Sequence, residues 1–152
     1  MLRARRDLAP LKGSDHHGRL HVLPGRAESA AEARRLLVSG LGARHPYLYN
    51  AQLVVTELVA NAVRHSRSGL WGGEVGLYIE ASRGGAARIE VIDNGPLLHR
   101  PSRPVVKRPR DGGEGGRGLA LVGAFADVWG TLRNPNGYTT VWARWNAGGR
   151  AA

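Results

Sequence analysis

A chain of 152 residues with 22 Lys and Arg against 12 Asp and Glu, a formal net charge of +10, has the size of one ordinary domain. Such a charge favours anionic partners: nucleotides, nucleic acid, a membrane surface or an acidic protein. The absence of cysteine excludes disulfides and thiolate metal sites, and with neither a secretory apolar segment nor a run long enough to span a bilayer, a soluble cytoplasmic protein is expected.

Residues 1–19 are polar, basic and without period, the pattern of a disordered tail, so the domain is expected over residues 20–146 with a flexible C-terminus at 147–152. "LHVLPG" reads as a short strand stopped by Pro24 and Gly25. "AESAAEARRLLVSGL" reads as a helix with Ala30, Ala33, Leu36, Leu37 and Leu41 on one side. A second helix follows His45-Pro46 and runs to about Ser66. In "GEVGLYIEAS", Val75, Leu77, Ile79 and Ala81 alternate with Glu74, Gly76, Tyr78 and Glu80, which predicts a half-buried strand; Gly84-Gly85 turns the chain into a partner strand, "ARIEVIDNG". From Pro96 to Gly116 periodicity is lost in a proline-rich basic loop. "GLALVGAFADVWG" restores a helix, and "WGTLRN" and "TTVWARW" close a hairpin across "PNGY". This order predicts an α+β fold, a two-layer α/β sandwich with a mixed, mostly antiparallel sheet and helices on one face. The four tryptophans are expected beneath the sheet or at its edges.

Three polar constellations interrupt this framework. In "TELVANAVRHS", Glu57, Asn61 and His65 recur every four residues; at roughly 100° per residue they drift by only about 80° and form one stripe beside the apolar arc. "DNGP" ends a strand, and "GGEGGRG" opens the third helix. Taken singly, each has an ordinary reading: a solvated helix edge, a turn, a hinge.

Their order and spacing, "ELVANAVRHS", "VIDNGP", "GGRGLALV" and "TTVWA", resemble the Bergerat-fold ATPase superfamily of gyrases and histidine kinases, and within it the single-domain anti-sigma-factor serine/threonine kinases. The resemblance covers about residues 20–146 and implies the Bergerat ATP-binding fold, with ATP and Mg²⁺ as cofactors. It makes Asn61 a Mg²⁺ ligand and Glu57 the catalytic carboxylate that polarises the attacking hydroxyl or water, with Arg64 and His65 on phosphates. It makes Asp93 the acceptor of the adenine amino group, with Gly95 allowing backbone approach to the purine. Gly115, Gly116, Arg117, Gly118 and Leu119 form the implied phosphate segment, and Thr140, with Thr139 as the adjacent candidate, lies close to the adenine. Two departures stand out: Leu97 replaces the usual second glycine, and Gly113-Glu114 replaces the acidic and basic pair of the better-known kinases.

The implied function is an ATP-binding anti-sigma factor with serine/threonine kinase activity toward an anti-sigma-factor antagonist, able also to hold a sigma factor, with a homodimer left open. The alternative is a nucleotide-dependent protein-binding switch of the same fold with little or no kinase activity. The basic loop from Arg100 to Arg110 also allows phosphate-backbone binding, but no helix-turn-helix, zinc or ribonucleoprotein motif accompanies it, and direct nucleic-acid or membrane binding is not expected.

Overall fold

The computed structural model of the chain describes residues 16–97 and 114–148. In chain order these form β1 (His16–Pro24), α1 (Ser29–Leu41), α2 (Leu48–His65), a single 3-10 turn (Arg67–Gly69), β2 (Glu74–Ser82), β3 (Ala87–Asp93), α3 (Glu114–Phe125), β4 (Val128–Arg133) and β5 (Thr139–Trp145). The strands make one sheet in the order β1-β2-β3-β5-β4, every neighbouring pair antiparallel.

Strand alternation decides which face meets the helices. Leu77, Ile79, Ile89, Val91, Ala143 and Trp145 point to one side and join Ala33 and Leu37 of α1, Val54, Val55, Leu58 and Val59 of α2, and Leu119 and Val122 of α3 in one core. On α2 these positions follow the three- and four-residue spacing read from the sequence, which leaves Glu57 and Asn61 on the border of the buried stripe. Trp145 fastens one end of this layer. Its ring stacks on Tyr47 at 6.2 Å, its indole N–H donates to the Phe125 carbonyl at 2.6 Å, and the Tyr47 hydroxyl donates to the Asn146 carbonyl at 2.9 Å.

Three differences from the sequence pattern have physical causes. β1 begins at His16, ahead of Leu20, because its first residues are held by backbone pairing with β2 and need no apolar alternation; His16 pairs with Ser82 and Gly18 with Glu80. Trp71 is neither beneath the sheet nor at its edge: it stands fully exposed in the turn between Leu70 and Gly73. The largest difference lies in β2 and β3, which are buried on both faces rather than half-buried. On the face away from the helices Arg88 lies 3.0 Å from both Glu80 and Glu90, and its guanidinium sits 5.5 Å from the centre of the Tyr78 ring. Charged residues at alternating positions read as solvent-facing in a sequence, but here Arg88 is ion-paired with Glu80 across the strands and with Glu90 along its own strand.

Removing Arg88 takes a cationic partner from two buried carboxylates, and breaking a buried ion pair costs about 3–5 kcal/mol. Arg88→Met is therefore expected to lower stability by that order in urea denaturation. A change below about 1 kcal/mol would mean that the triad is solvated in the unliganded protein.

Candidate functional site

The site is built around the two ends of one helical segment. Glu57 and Asn61 lie one turn apart on α2, and α3 packs against them through Gly118. A methyl group at Gly118 would stand 2.9 Å from Glu57 Oε2 and 3.1 Å from Asn61 Nδ2. A methyl group here would make the ends of the Glu57 and Asn61 side chains shift, so glycine lets the third helix approach the carboxylate and amide as they stand. The glycine-rich stretch thus meets the polar stripe, as its place in the sequence implies, although the chain is already helical from Glu114, so Gly115, Gly116 and Arg117 belong to the first turn of α3 rather than to a loop before it. The first amides of a helix have no partner within it and point along the axis, a geometry suited to anions. Leu119 is buried in the core, so only its backbone is available to a ligand.

Arg64 and His65 are exposed at the C-terminal end of α2. Directly beyond them the chain turns against the end of β3. Ser66 Oγ donates to the Ala62 carbonyl at 2.6 Å and accepts from the Ser68 amide at 3.0 Å, which terminates the helix and sets the 3-10 turn. Ser68 Oγ accepts from the Asn94 amide at 2.9 Å, Asn94 Oδ1 accepts from the Glu74 amide at 2.8 Å, and the Arg67 amide donates to the Gly95 carbonyl at 2.8 Å. Ser66, Arg67, Ser68 and Asn94 had no place among the sequence candidates. Their signal was the serine-flanked "SRS" directly after a helix, a turn-forming pattern, facing an Asn that reads equally well as an ordinary turn residue.

Asp93 ends β3 inside this network. Burial pushes its carboxyl up from 3.8 to about 6, opposed by hydrogen bonds from the Gly95 and Thr139 amides and by the positive charge of Arg67. The Gly95 bond, 2.7 Å to Oδ1, closes a tight turn in which Gly95 has φ +91°. That angle requires glycine. The space a side chain would need there is taken by the Gly137 carbonyl of the β4–β5 turn, with the Arg67 guanidinium 3.2 Å away. Gly95 therefore admits protein atoms at this point, a role the resemblance did not supply.

The two threonines separate. Asp93 pairs with Thr139 and Ile92 with Thr140 across β3 and β5. Directly paired residues share a face, so Thr139 stands beside Asp93 while Thr140 faces the opposite side of the sheet. There Thr140 Oγ1 accepts from Asn134 Nδ2 at 3.0 Å and braces the hairpin turn. The adjacent candidate, Thr139, is the one the fold brings to the site. Leu97 lies at the edge of the described segment, half-buried; the departure at Gly113 and the basic stretch Arg100–Arg110 lie outside the described residues.

Among the described residues no cluster of three or more His, Asp or Glu is arranged to hold a metal. A magnesium ion keeps most of its water and is commonly shared with phosphate oxygens. The Asn61 amide and Glu57 carboxylate facing Gly118 fit that kind of cation and not an all-protein cage. Among the described residues no helix is long and apolar enough to cross a membrane.

Comparison with known proteins bears on the family and the fold. A family model described as Histidine kinase-like ATPase domain matches residues 23–145, and the chain belongs to that family. A similar solved structure is that of the RsbU and RsbW domains of Rv1364c from Mycobacterium tuberculosis, 20% identical with a TM-score of 0.59. The match covers 84% of this chain but 32% of that one, and at this identity the likeness speaks for the fold alone. No curated protein sequence matches the chain.

A carboxyl whose folded pKa is raised holds its proton more tightly in the folded than in the unfolded protein, so its contribution to stability falls as pH rises from about 4 to about 6 and stays low above that. Asp93→Asn removes this cost. Its melting temperature is expected to exceed that of wild type at pH 7.5, by the equivalent of up to about 3 kcal/mol, and to match it near pH 4. Equal melting at both pH values would mean that Asp93 is hydrated.

Proposed function

We propose that the chain is an ATP-binding regulatory protein that acts as an anti-sigma factor and phosphorylates a serine or threonine on an anti-sigma-factor antagonist. The observation that carries this reading is the seat of Gly118 against Glu57 and Asn61, on the helix whose following 3-10 turn is hydrogen-bonded to the Asp93 turn. From Asn61 to Ser66 is about 8 Å along a helix. One rigid element thus spaces a group suited to a purine amine from groups suited to phosphate.

In this reading Asp93, ionised and poor in water, accepts the adenine amino proton, and guanine would confront it with a carbonyl lone pair instead. Asn61 offers its side-chain oxygen to Mg²⁺, which when bound supplies charge neutralisation on the β- and γ-phosphates. Glu57 accepts the proton of the attacking hydroxyl as that oxygen bonds to the γ-phosphorus, the bond to the bridging oxygen breaks and ADP leaves. The similar solved structure contains an RsbU and an RsbW domain, and a partner-switching role for this chain is part of the same proposal. The departures at Leu97 and at Gly113-Glu114 favour a second reading, a nucleotide-dependent switch that binds its partner without phosphorylating it.

Two pairs of measurements test the assignment. Asn61→Ala should abolish the Mg²⁺-dependent part of ATP affinity in calorimetry, whereas Glu57→Gln should bind Mg²⁺-ATP normally and lose about 10²–10⁴-fold in phosphotransfer to candidate antagonists. Binding lost with turnover retained would reverse the two roles, and normal binding without turnover in the wild type would favour the switch. Gly118→Ala should keep or raise helix stability, by up to about 1 kcal/mol, while displacing Glu57 and Asn61 and weakening Mg²⁺-ATP binding. An unchanged affinity in this variant would detach α3 from the phosphate site.

A further inference from the structure

The turn between the 3-10 element and β2 holds two large apolar side chains in solvent. Leu70 is 55% exposed and Trp71 is fully so, at 103%. Their backbone is fixed. The Gly73 amide donates to the Leu70 carbonyl at 2.8 Å and Gly72 takes φ +72°, so residues 70–73 form a tight turn whose third place favours glycine. The base of the turn is pinned from three sides: the Leu70 amide donates to the Arg67 carbonyl at 3.1 Å, the Gly25 amide to the Gly73 carbonyl at 2.8 Å, and the Glu74 amide to Asn94 Oδ1 at 2.8 Å. A side chain on Gly25 or Gly73 would collide with the Ser68 carbonyl oxygen, and one on Gly69 with the Val63 carbonyl oxygen. Glycines thus draw three backbone segments together beneath Trp71, and its exposure belongs to an ordered element.

We propose that this turn is a docking tip for the surface of an anionic lipid bilayer, with Trp71 and Leu70 entering the headgroup layer and the neighbouring arginines resting on lipid phosphates. Tryptophan suits that layer because its ring is apolar while its indole N–H still finds polar partners there. Charge selects among the possible occupants. Arg67 opens the 3-10 turn and its Nε donates to the Asn94 carbonyl at 3.0 Å, which keeps that side chain beside the tip. Arg64 is exposed at the end of α2, Arg26 is exposed directly after Gly25, and Glu74 is the carboxylate that adjoins the turn. A second copy would bring the same arginines and a chain of net charge +10 against its own kind, which opposes self-association. An acidic protein would satisfy the charge, but a stable protein interface takes about 800 Å² from each partner. The apolar surface offered here is two side chains on a projecting turn, with Val22, 52% exposed, on the adjoining part of β1. A bilayer surface supplies diffuse negative charge and needs no matching shape. Contact of this kind also needs no apolar run, the feature whose absence from the sequence spoke against a membrane partner.

The experiment uses the full chain as wild type, Trp71→Ala and Trp71→Leu, with vesicles of phosphatidylcholine alone or of phosphatidylcholine and phosphatidylglycerol in equal parts. All three proteins should melt alike, since the side chain changed is wholly in solvent. Wild type should sediment with the anionic vesicles and not with the zwitterionic ones. Trp71→Ala should lose about tenfold in partition coefficient at physiological salt, the scale of a large apolar side chain that no longer leaves water. Trp71→Leu keeps an apolar side chain and should bind nearly as wild type does. Lipids with brominated chains should quench the tryptophan emission of bound wild type but not of bound Trp71→Leu, because Trp129, Trp142 and Trp145 are half-buried or buried in the fold. Equal binding of wild type and Trp71→Ala would reduce the effect to net charge and overturn the proposal, as would quenching that persists in Trp71→Leu. Wild type that stays off the anionic vesicles overturns it as well. In that case polyglutamate that shifts the emission of wild type and not of Trp71→Leu would assign the tip to an acidic protein, and self-association in ultracentrifugation that Trp71→Ala abolishes would assign it to a second copy.

Discussion

A largely buried carboxyl at the end of β3 organises the rest of the site. Left alone, Asp93 would take up a proton or drag the turn toward solvent, because an isolated buried charge is among the most costly groups a protein can contain. It is kept in place by two backbone amides and an arginine, and each of these has its own requirement. The Gly95 amide can reach back only with a positive φ. The Thr139 amide is available because β5 is paired with β3 down to this residue. Arg67 is available because α2 stops at His65 and the next residues form a tight turn. A strand end, a hairpin and a helix terminus thus meet at one side chain. Such a group is retained where its chemistry is needed rather than for the stability of the fold.

The second half of the site has the opposite character. Around Asp93 nearly every polar atom is tied to a named partner, whereas Glu57 and Asn61 meet α3 through the absence of a side chain at Gly118. The helix α2 joins the two halves: its apolar side is fixed in the core by Val54, Val55, Leu58 and Val59, and its rotation decides where the polar stripe points. A quarter turn would bury Glu57 among those residues. The same core packing that holds the sheet therefore also sets the orientation of the site.

Much of this was legible in the sequence, and the reasons are local. Helical periodicity predicted α2 and the stripe on it, since a spacing of about 3.6 residues is a property of neighbouring residues. Two hairpins and the antiparallel sheet followed from alternation and from the glycines at Gly84-Gly85 and Gly137. Facts that depend on pairing across the fold were hidden. The burial of Glu80, Arg88 and Glu90 requires knowing that Glu80 stands opposite Arg88, and a single strand cannot report its partner. The choice between Thr139 and Thr140 is a matter of one residue of register, and a slip of one residue reverses every side chain. Arg67 was hidden for a further reason: its contacts are to backbone carbonyls, which every residue carries and no motif records.

The two halves also differ in what holds them, and on the proposed reading that difference separates recognition from signalling. The turn that would read the base is cross-linked through Ser66, Ser68 and Asn94 and would hold the same shape with either nucleotide. The first turn of α3 contains Gly115 and Gly116, with Gly118 directly after it, and each glycine costs a helix about 1 kcal/mol relative to alanine. Helix ends so composed depend on outside partners for their free amides. A γ-phosphate at this end would supply such partners, and a diphosphate would supply fewer. The energy that distinguishes ATP from ADP is then concentrated on the element with least intrinsic stability, next to the residues that would perform the chemistry, while affinity for adenine is kept constant by the rigid turn at the other end of α2. A protein docking against α3 would experience the nucleotide state through the difference in contacts at that end, which is the condition any coupling between two binding sites must meet.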